Sequence, residues 1–204
     1  MATPLVAVVD DDEPVRQSTA ALLKKSGIAV EQFASGDAFL ATSSPDRFSC
    51  ILLDLRMPGS DGLSVLRQLG QGISSPPVLV ITGHGEVEAA VEAMKLGAHD
   101  FLEKPYAPHD LLKAIDAATA KGRETLEAQA IREKASALVA SLTERQIQVL
   151  HGIVKGNMNK IIAHELGLSV RTVEAYRSEL LDKLGVRGTA EAVRVALAAG
   201  MPES

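Results

Sequence analysis

Cys50-Ile51-Leu52-Leu53-Asp54-Leu55-Arg56-Met57-Pro58-Gly59 sets four apolar residues ahead of a carboxylate and closes on a Pro-Gly turn. A short apolar run bounded by turn residues reads as a strand buried on both faces, with Asp54 at its carboxyl end. Four similar runs surround it: Leu5 to Val9, the more polar Ala29 to Phe33, Val78 to Thr82, and Phe101 to Lys104. Between them lie segments of helical period, at Val15 to Lys25 and around 35–42, 61–70, 86–96 and 108–119. Repeated strand–helix alternation predicts an α/β domain over residues 1–120, a five-stranded, doubly wound parallel sheet. In such sheets the working site lies beyond the carboxyl ends of the strands.

Those ends carry matched chemistry. The first strand runs into Asp10-Asp11-Asp12, the third ends at Asp54, the fourth at Thr82, and the fifth at Lys104-Pro105. Crowded carboxylates need a cation, and hard oxygen ligands favour Mg²⁺. With a hydroxyl and an ammonium added, the set complements a phosphoryl group. Each residue alone has a plainer use, as a helix cap, a turn residue or a solvated lysine; four such ends on one sheet edge decide for the site.

Aromatics are 3% of the 204 residues and Trp is absent, so aliphatic side chains must fill the core. The lone Cys50 excludes an intrachain disulfide and reads as a small buried hydrophobe. With neither a signal-like N-terminus nor an apolar span of membrane length, a cytoplasmic protein is expected. The net charge of −5 is concentrated in residues 1–120, whereas 121–141 and 142–204 are each close to balance. Charge alone therefore does not establish nucleic-acid binding.

Residues 121–141 read as a helical linker, with Leu126, Ala130, Leu138 and Leu142 as an apolar stripe too broken for a coiled coil. From Leu142 to the end only short helices are expected, giving an all-α module of four helices over 142–204. Thr143 and Gln146 form a capping-box pattern, Gly167 and Gly185 stop two helices, Ser169 caps the helix from Val170 to Leu184, and Thr189 starts the last.

Residues 1–120 resemble a response-regulator receiver domain, a flavodoxin-like fold, over their whole length. The resemblance implies that Asp54 accepts a phosphoryl group from the phosphohistidine of a sensor histidine kinase. It implies Mg²⁺ held by Asp11, Asp54 and the Arg56 carbonyl, with Asp10 acting through water. Thr82 and Lys104 would bind phosphoryl oxygens, the Lys104–Pro105 bond would be cis, and Phe101 would be an aromatic that swings inward with Thr82. His84, in Thr82-Gly83-His84-Gly85, reads as a loop residue close enough to tune hydrolysis of the acyl phosphate. Val91, Met94 and Lys95 fit a surface that changes on activation, and Val91 and Met94 fit ordinary core equally.

The stretch Leu142-Thr143-Glu144-Arg145, Asn159-Lys160-Ile161-Ile162-Ala163 and Ser169 to Arg177 resembles the LuxR-type helix-turn-helix. Together the two resemblances point to the NarL/FixJ subfamily, nearer the FixJ side. On the 170–184 helix, Val173, Leu180 and Leu184 share a core-facing side. Arg171, Glu174, Ala175 and Ser178 lie away from it and are the base-edge candidates. Lys160, Thr172 and Arg177 are the phosphate candidates, though Arg177 sits near the core side and also suits a structural contact. Glu174 and Tyr176 stand where many members of the family carry Lys and His. Ala192, Val195, Ala196 and Ala199 suit close helix packing, between copies or within the domain.

The expected function is a two-component regulator that binds a double-stranded DNA operator, as a homodimer when phosphorylated. It is expected to be no enzyme beyond its own Mg²⁺-dependent aspartyl phosphorylation and dephosphorylation. A phosphatase acting through an aspartyl phosphate would need a second acid two residues past its nucleophile, and Arg56 holds that position. The alternative is a phosphorylation-sensing module whose helical half binds protein.

Overall fold

The computed structural model describes residues 3–41, 44–59, 61–70, 75–83 and 87–202. It divides into two compact units, Met1–Leu126 and Glu127–Ser204.

The first unit is built on five parallel strands, β1 (Leu5–Val9), β2 (Ala29–Phe33), β3 (Cys50–Asp54), β4 (Val78–Thr82) and β5 (Asp100–Glu103), in the order β2-β1-β3-β4-β5. Four strands fall on their expected bounds. The fifth starts and ends one residue early, leaving Lys104 just past the strand, where its N–H still donates to the Thr82 carbonyl at 2.8 Å.

The two-residue period of the strands divides the core. Val9, Leu53 and Val80 face one side with Phe39 of α2 (Gly36–Leu40), Val65 and Leu66 of α3 (Gly62–Leu69) and Ala93 of α4 (Val87–Lys95). Val8, Leu52 and Ile81 face the other, with Leu23 of α1 (Glu13–Lys25) and Leu111 and Ile115 of α5 (Pro108–Ala140). β1, β3 and β4 are therefore apolar on both faces, and each connection between successive strands carries a helix. Cys50 is fully buried.

The helix expected at 108–119 and the linker expected at 121–141 form one continuous element, α5, which runs to Ala140. No Pro interrupts it after Pro108, and Gly122 is tolerated within it. Leu126 and Ala130 are exposed, whereas Leu138 and Leu142 pack on the core of the second unit.

That unit holds α6 (Glu144–Val154), α7 (Asn159–Leu166), α8 (Val170–Leu184) and α9 (Thr189–Ala198). The Thr143–Gln146 capping box forms at α6. Gly167 (φ +63°) and Gly185 (φ +66°) terminate α7 and α8 in the left-handed conformation that a side chain resists. Val173, Leu180 and Leu184 are buried with Val149, Leu150 and Ile162. Ala192 and Ala196 are fully buried in the same core, so this face of α9 is used within the domain.

Candidate functional site

The carboxyl end of β1 passes into α1 through a run of acids that separate in role. Asp12 caps α1, its carboxylate accepting from the Val15 N–H. Asp10 is buried and accepts from the Asp12 N–H at 2.8 Å, while Asp11 is exposed. The guanidinium of Arg16, one turn into α1, donates to the carbonyls of Asp10 at 2.7 Å and Asp11 at 3.3 Å. It pins the loop that carries both acids. The sequence reading missed Arg16, whose only signal was a cation one helical turn past the acidic run.

Asp54 ends β3 and is 8% exposed. One of its oxygens accepts the Arg56 N–H at 3.1 Å. The α3 helix abuts this strand end: the Gly62 N–H donates to the Leu55 carbonyl at 3.0 Å, and a Cβ at Gly62 would strike the Asp54 carbonyl and come within 2.7 Å of Leu55 Cα.

Asp10, Asp11 and Asp54 each offer an oxygen within 4.8 Å of the others. Lys104 Nζ lies 2.9 Å from Asp10 Oδ2 and 2.6 Å from Asp54 Oδ2. The Lys104–Pro105 bond is cis. Burial raises the pKa of Asp54 above its ordinary value, outweighing the hydrogen bonds from Lys104 and the Arg56 N–H that lower it. Burial also disfavours the Lys104 ammonium, but its hydrogen bonds and charge interactions with Asp54 and Asp10 prevail and hold its pKa above the usual lysine value. Three carboxylates with a single ammonium leave room for a hard divalent cation, and the donor set fits Mg²⁺.

Thr82 is buried at the end of β4, one residue past Ile81, which pairs with Asp54 across the sheet. Its hydroxyl donates to the Leu102 carbonyl at 3.5 Å, so the structure brings it to the same edge without engaging it in the carboxylate cluster. Phe101 is 44% exposed on β5, in an outward position. Val91, Met94 and Lys95 are exposed on α4, so neither apolar residue belongs to the core. His84 lies outside the described residues.

In the second unit, Arg171, Glu174, Ala175 and Ser178 are all exposed along α8, and Lys160 is exposed on α7. Thr172 is half-buried, tied to the Ser169 cap. Arg177 is held by two hydrogen bonds, to Asn159 Oδ1 of α7 at 2.9 Å and Thr189 Oγ1 of α9 at 2.7 Å. Its guanidinium clamps three helices together. Tyr176 packs against the core. A second network escaped the sequence reading: Gln146, 2% exposed, accepts from Lys183 Nζ and donates to Glu179, both at 3.0 Å, and so fixes α6 to α8.

Residues 6–116 match the response regulator receiver domain, and residues 140–196 match the bacterial regulatory proteins of the luxR family. The chain is 44% identical to the transcriptional regulatory protein FixJ of Azorhizobium caulinodans, over 96% of its own length and 93% of that protein's. It is 42% identical to FixJ of Rhizobium meliloti, over 98% of both. Among solved structures it resembles the response regulator StyR, at a TM-score of 0.83, 40% identity and 96% and 99% coverage of the two chains. It also resembles full-length FixJ from B. japonicum, at a TM-score of 0.59, 40% identity and 99% and 100% coverage.

Proposed function

This chain belongs to the two-component response regulators that join a receiver domain to a LuxR-type DNA-binding domain, and from that membership we propose that phosphorylation of Asp54 gates its binding to DNA. It is a regulator of transcription of the FixJ type rather than a typical enzyme. The observation that carries the assignment is the convergence of Asp10, Asp11 and Asp54 within 4.8 Å, with Lys104 Nζ 2.6 Å from Asp54.

In this reading residues 1–120 are the receiver, 121–141 the connector and 142–204 the DNA-binding domain. An oxygen of Asp54 attacks the phosphorus of a phosphohistidine on a sensor histidine kinase. The new O–P bond forms as the P–N bond breaks, and the electron pair leaves on the imidazole nitrogen, which is protonated. Asp10, Asp11, Asp54 and the Arg56 carbonyl would hold Mg²⁺, which when bound neutralises charge on the transferring group. Lys104 exchanges its contact with Asp54 for a phosphoryl oxygen, and the Thr82 hydroxyl turns from Leu102 toward another. Water then attacks the phosphorus, the O–P bond to Asp54 breaks, and inorganic phosphate leaves as the carboxylate is regenerated, so the receiver catalyses its own phosphorylation and dephosphorylation.

The displacement of Thr82 makes space for Phe101 to leave its exposed position. The surface of Val91 and Met94 on α4 changes with it, and the population shifts toward a DNA-binding homodimer. Arg171, Glu174, Ala175 and Ser178 face base edges, and Lys160 and Thr172 face phosphates. Arg177 positions the recognition helix through Asn159 and Thr189, with any phosphate contact coming from its remaining N–H groups. Among the described residues no helix is long and apolar enough to cross a membrane.

A gel-shift titration of acyl-phosphate-treated protein tests the gating. Treatment raises operator affinity in the wild type and leaves Asp54→Asn unchanged. Equal affinity of the two treated proteins overturns it.

A further inference from the structure

At the N-terminal end of α8, an exposed valine shares the face formed by the four base-edge residues. Val170 is the first residue of the helix and is 41% exposed. It precedes Arg171 by one position and Glu174 by four. Residues 170, 171, 174, 175 and 178 follow the i, i+1, i+4, i+5, i+8 series of one continuous helical face, and all five are exposed. The neighbouring hydroxyls are committed elsewhere: Ser169 Oγ accepts the Thr172 N–H at 3.0 Å and lies 2.7 Å from Thr172 Oγ1. The leading edge of this face is therefore a branched hydrocarbon beside a guanidinium.

An isolated exposed valine needs no explanation on an ordinary surface. This one stands at the N-terminal end of a recognition helix, the end that meets base edges. The major groove presents one apolar group on the unmodified bases, the C5-methyl of thymine. We propose that Val170 is a specificity-determining residue that packs on the methyl group of one thymine in each half-site, next to the base pair read by Arg171. The inference rests on the DNA-binding reading above and adds to it a residue outside the four base-edge candidates.

The probe is a set of duplexes selected from a random pool by the full-length, phosphorylated protein. Each thymine is replaced singly by deoxyuridine, which lacks only the methyl. For the wild type, one thymine per half-site loses about three- to five-fold in affinity on replacement, the size of one buried methyl group. Val170→Ala and Val170→Ser, melting as the wild type does, bind the thymine and uracil forms equally. Arg171→Ala keeps the sensitivity to uracil while its preference at the adjacent pair relaxes. A selected site without a uracil-sensitive thymine, or equal sensitivity in Val170→Ala, overturns the assignment and leaves DNA binding standing. Failure of the selection to enrich any sequence overturns the DNA-binding reading and this inference with it.

Discussion

Lys104 and Asp54 are fifty residues apart in the chain and 2.6 Å apart in the fold, and the same ammonium reaches Asp10 at 2.9 Å. One cation thus compensates two buried acids that parallel pairing brings to a single sheet edge. Its removal leaves both without a counter-ion among the described residues. Lys104→Met is expected to lose about 2 kcal/mol of stability in the presence of a chelator. Mg²⁺ then raises the melting temperature of the variant more than that of the wild type, because binding to the folded state restores the missing charge. Equal Mg²⁺-induced shifts in thermal melts would sink the expectation.

The two shifted groups give opposite pH limbs. Asp54 has its pKa raised above 3.8, chiefly by burial, so the folded chain retains this proton where the unfolded chain has lost it. Its contribution to stability is full below 3.8 and declines as pH rises through the folded value. The stability difference between wild type and Asp54→Asn should therefore fall across that window and then level. Lys104 is raised above 10.5 by Asp54 and Asp10 against the cost of burial. Its contribution is complete below 10.5 and is lost as pH rises through the folded value, a limb that Lys104→Met should lack. Urea denaturation over a pH series checks both; parallel curves for all three proteins contradict them.

Gly62 allows α3 to abut the strand end that carries Asp54. In Gly62→Ala the new methyl meets the backbone of Asp54 and Leu55, which cannot yield as a flexible side chain does. A loss of about 1–3 kcal/mol is expected, with slower phosphorylation by a small phosphodonor as Asp54 shifts. A variant of unchanged stability and rate would show that the interface has slack.

The cations of the second unit should separate by assay. Arg177→Ala removes the ties to Asn159 and Thr189 and should lower stability by about 1–2 kcal/mol, with DNA affinity falling alongside it. Lys160→Ala should leave the melting temperature alone, weaken binding to all sequences alike and reduce the salt slope by about one. Arg171→Ala should also leave stability alone and relax specificity at one position by about 1–3 kcal/mol. Thermal melts and salt-dependent binding isotherms distinguish the three; a stable Arg177→Ala would remove its clamping role.

Cys50 lies between the sheet and the helices of one face, and burial pushes its thiol up to about 12. Since the thiolate is the reactive form, a thiol reagent should label the native chain only as fast as it unfolds. Rapid labelling without denaturant would contradict the packing.

Sequence alone determined the strands, most helix ends and which polar residues stand at the strand ends. Period-two and period-3.6 patterns report which faces must leave water, and Gly167, Gly185, Thr143 and Ser169 mark helix ends through local backbone chemistry. Four strand ends bearing Asp10, Asp54, Thr82 and Lys104 could be read because parallel strands place their carboxyl ends on one edge. Tertiary structure alone decided what those groups touch. Lys104 bridges Asp10 and Asp54, Thr82 turns to Leu102, Arg16 pins the acidic loop, and Arg177 and Gln146 tie helices together. These contacts join residues distant in sequence, or depend on which way a long side chain turns. That the helix at 108–119 and the helical linker at 121–141 form one element was also hidden, since no local pattern marks a helix as continuing from one segment into the next. Local patterns record the solvent each face avoids; partners across the fold are set only when the chain has closed around them.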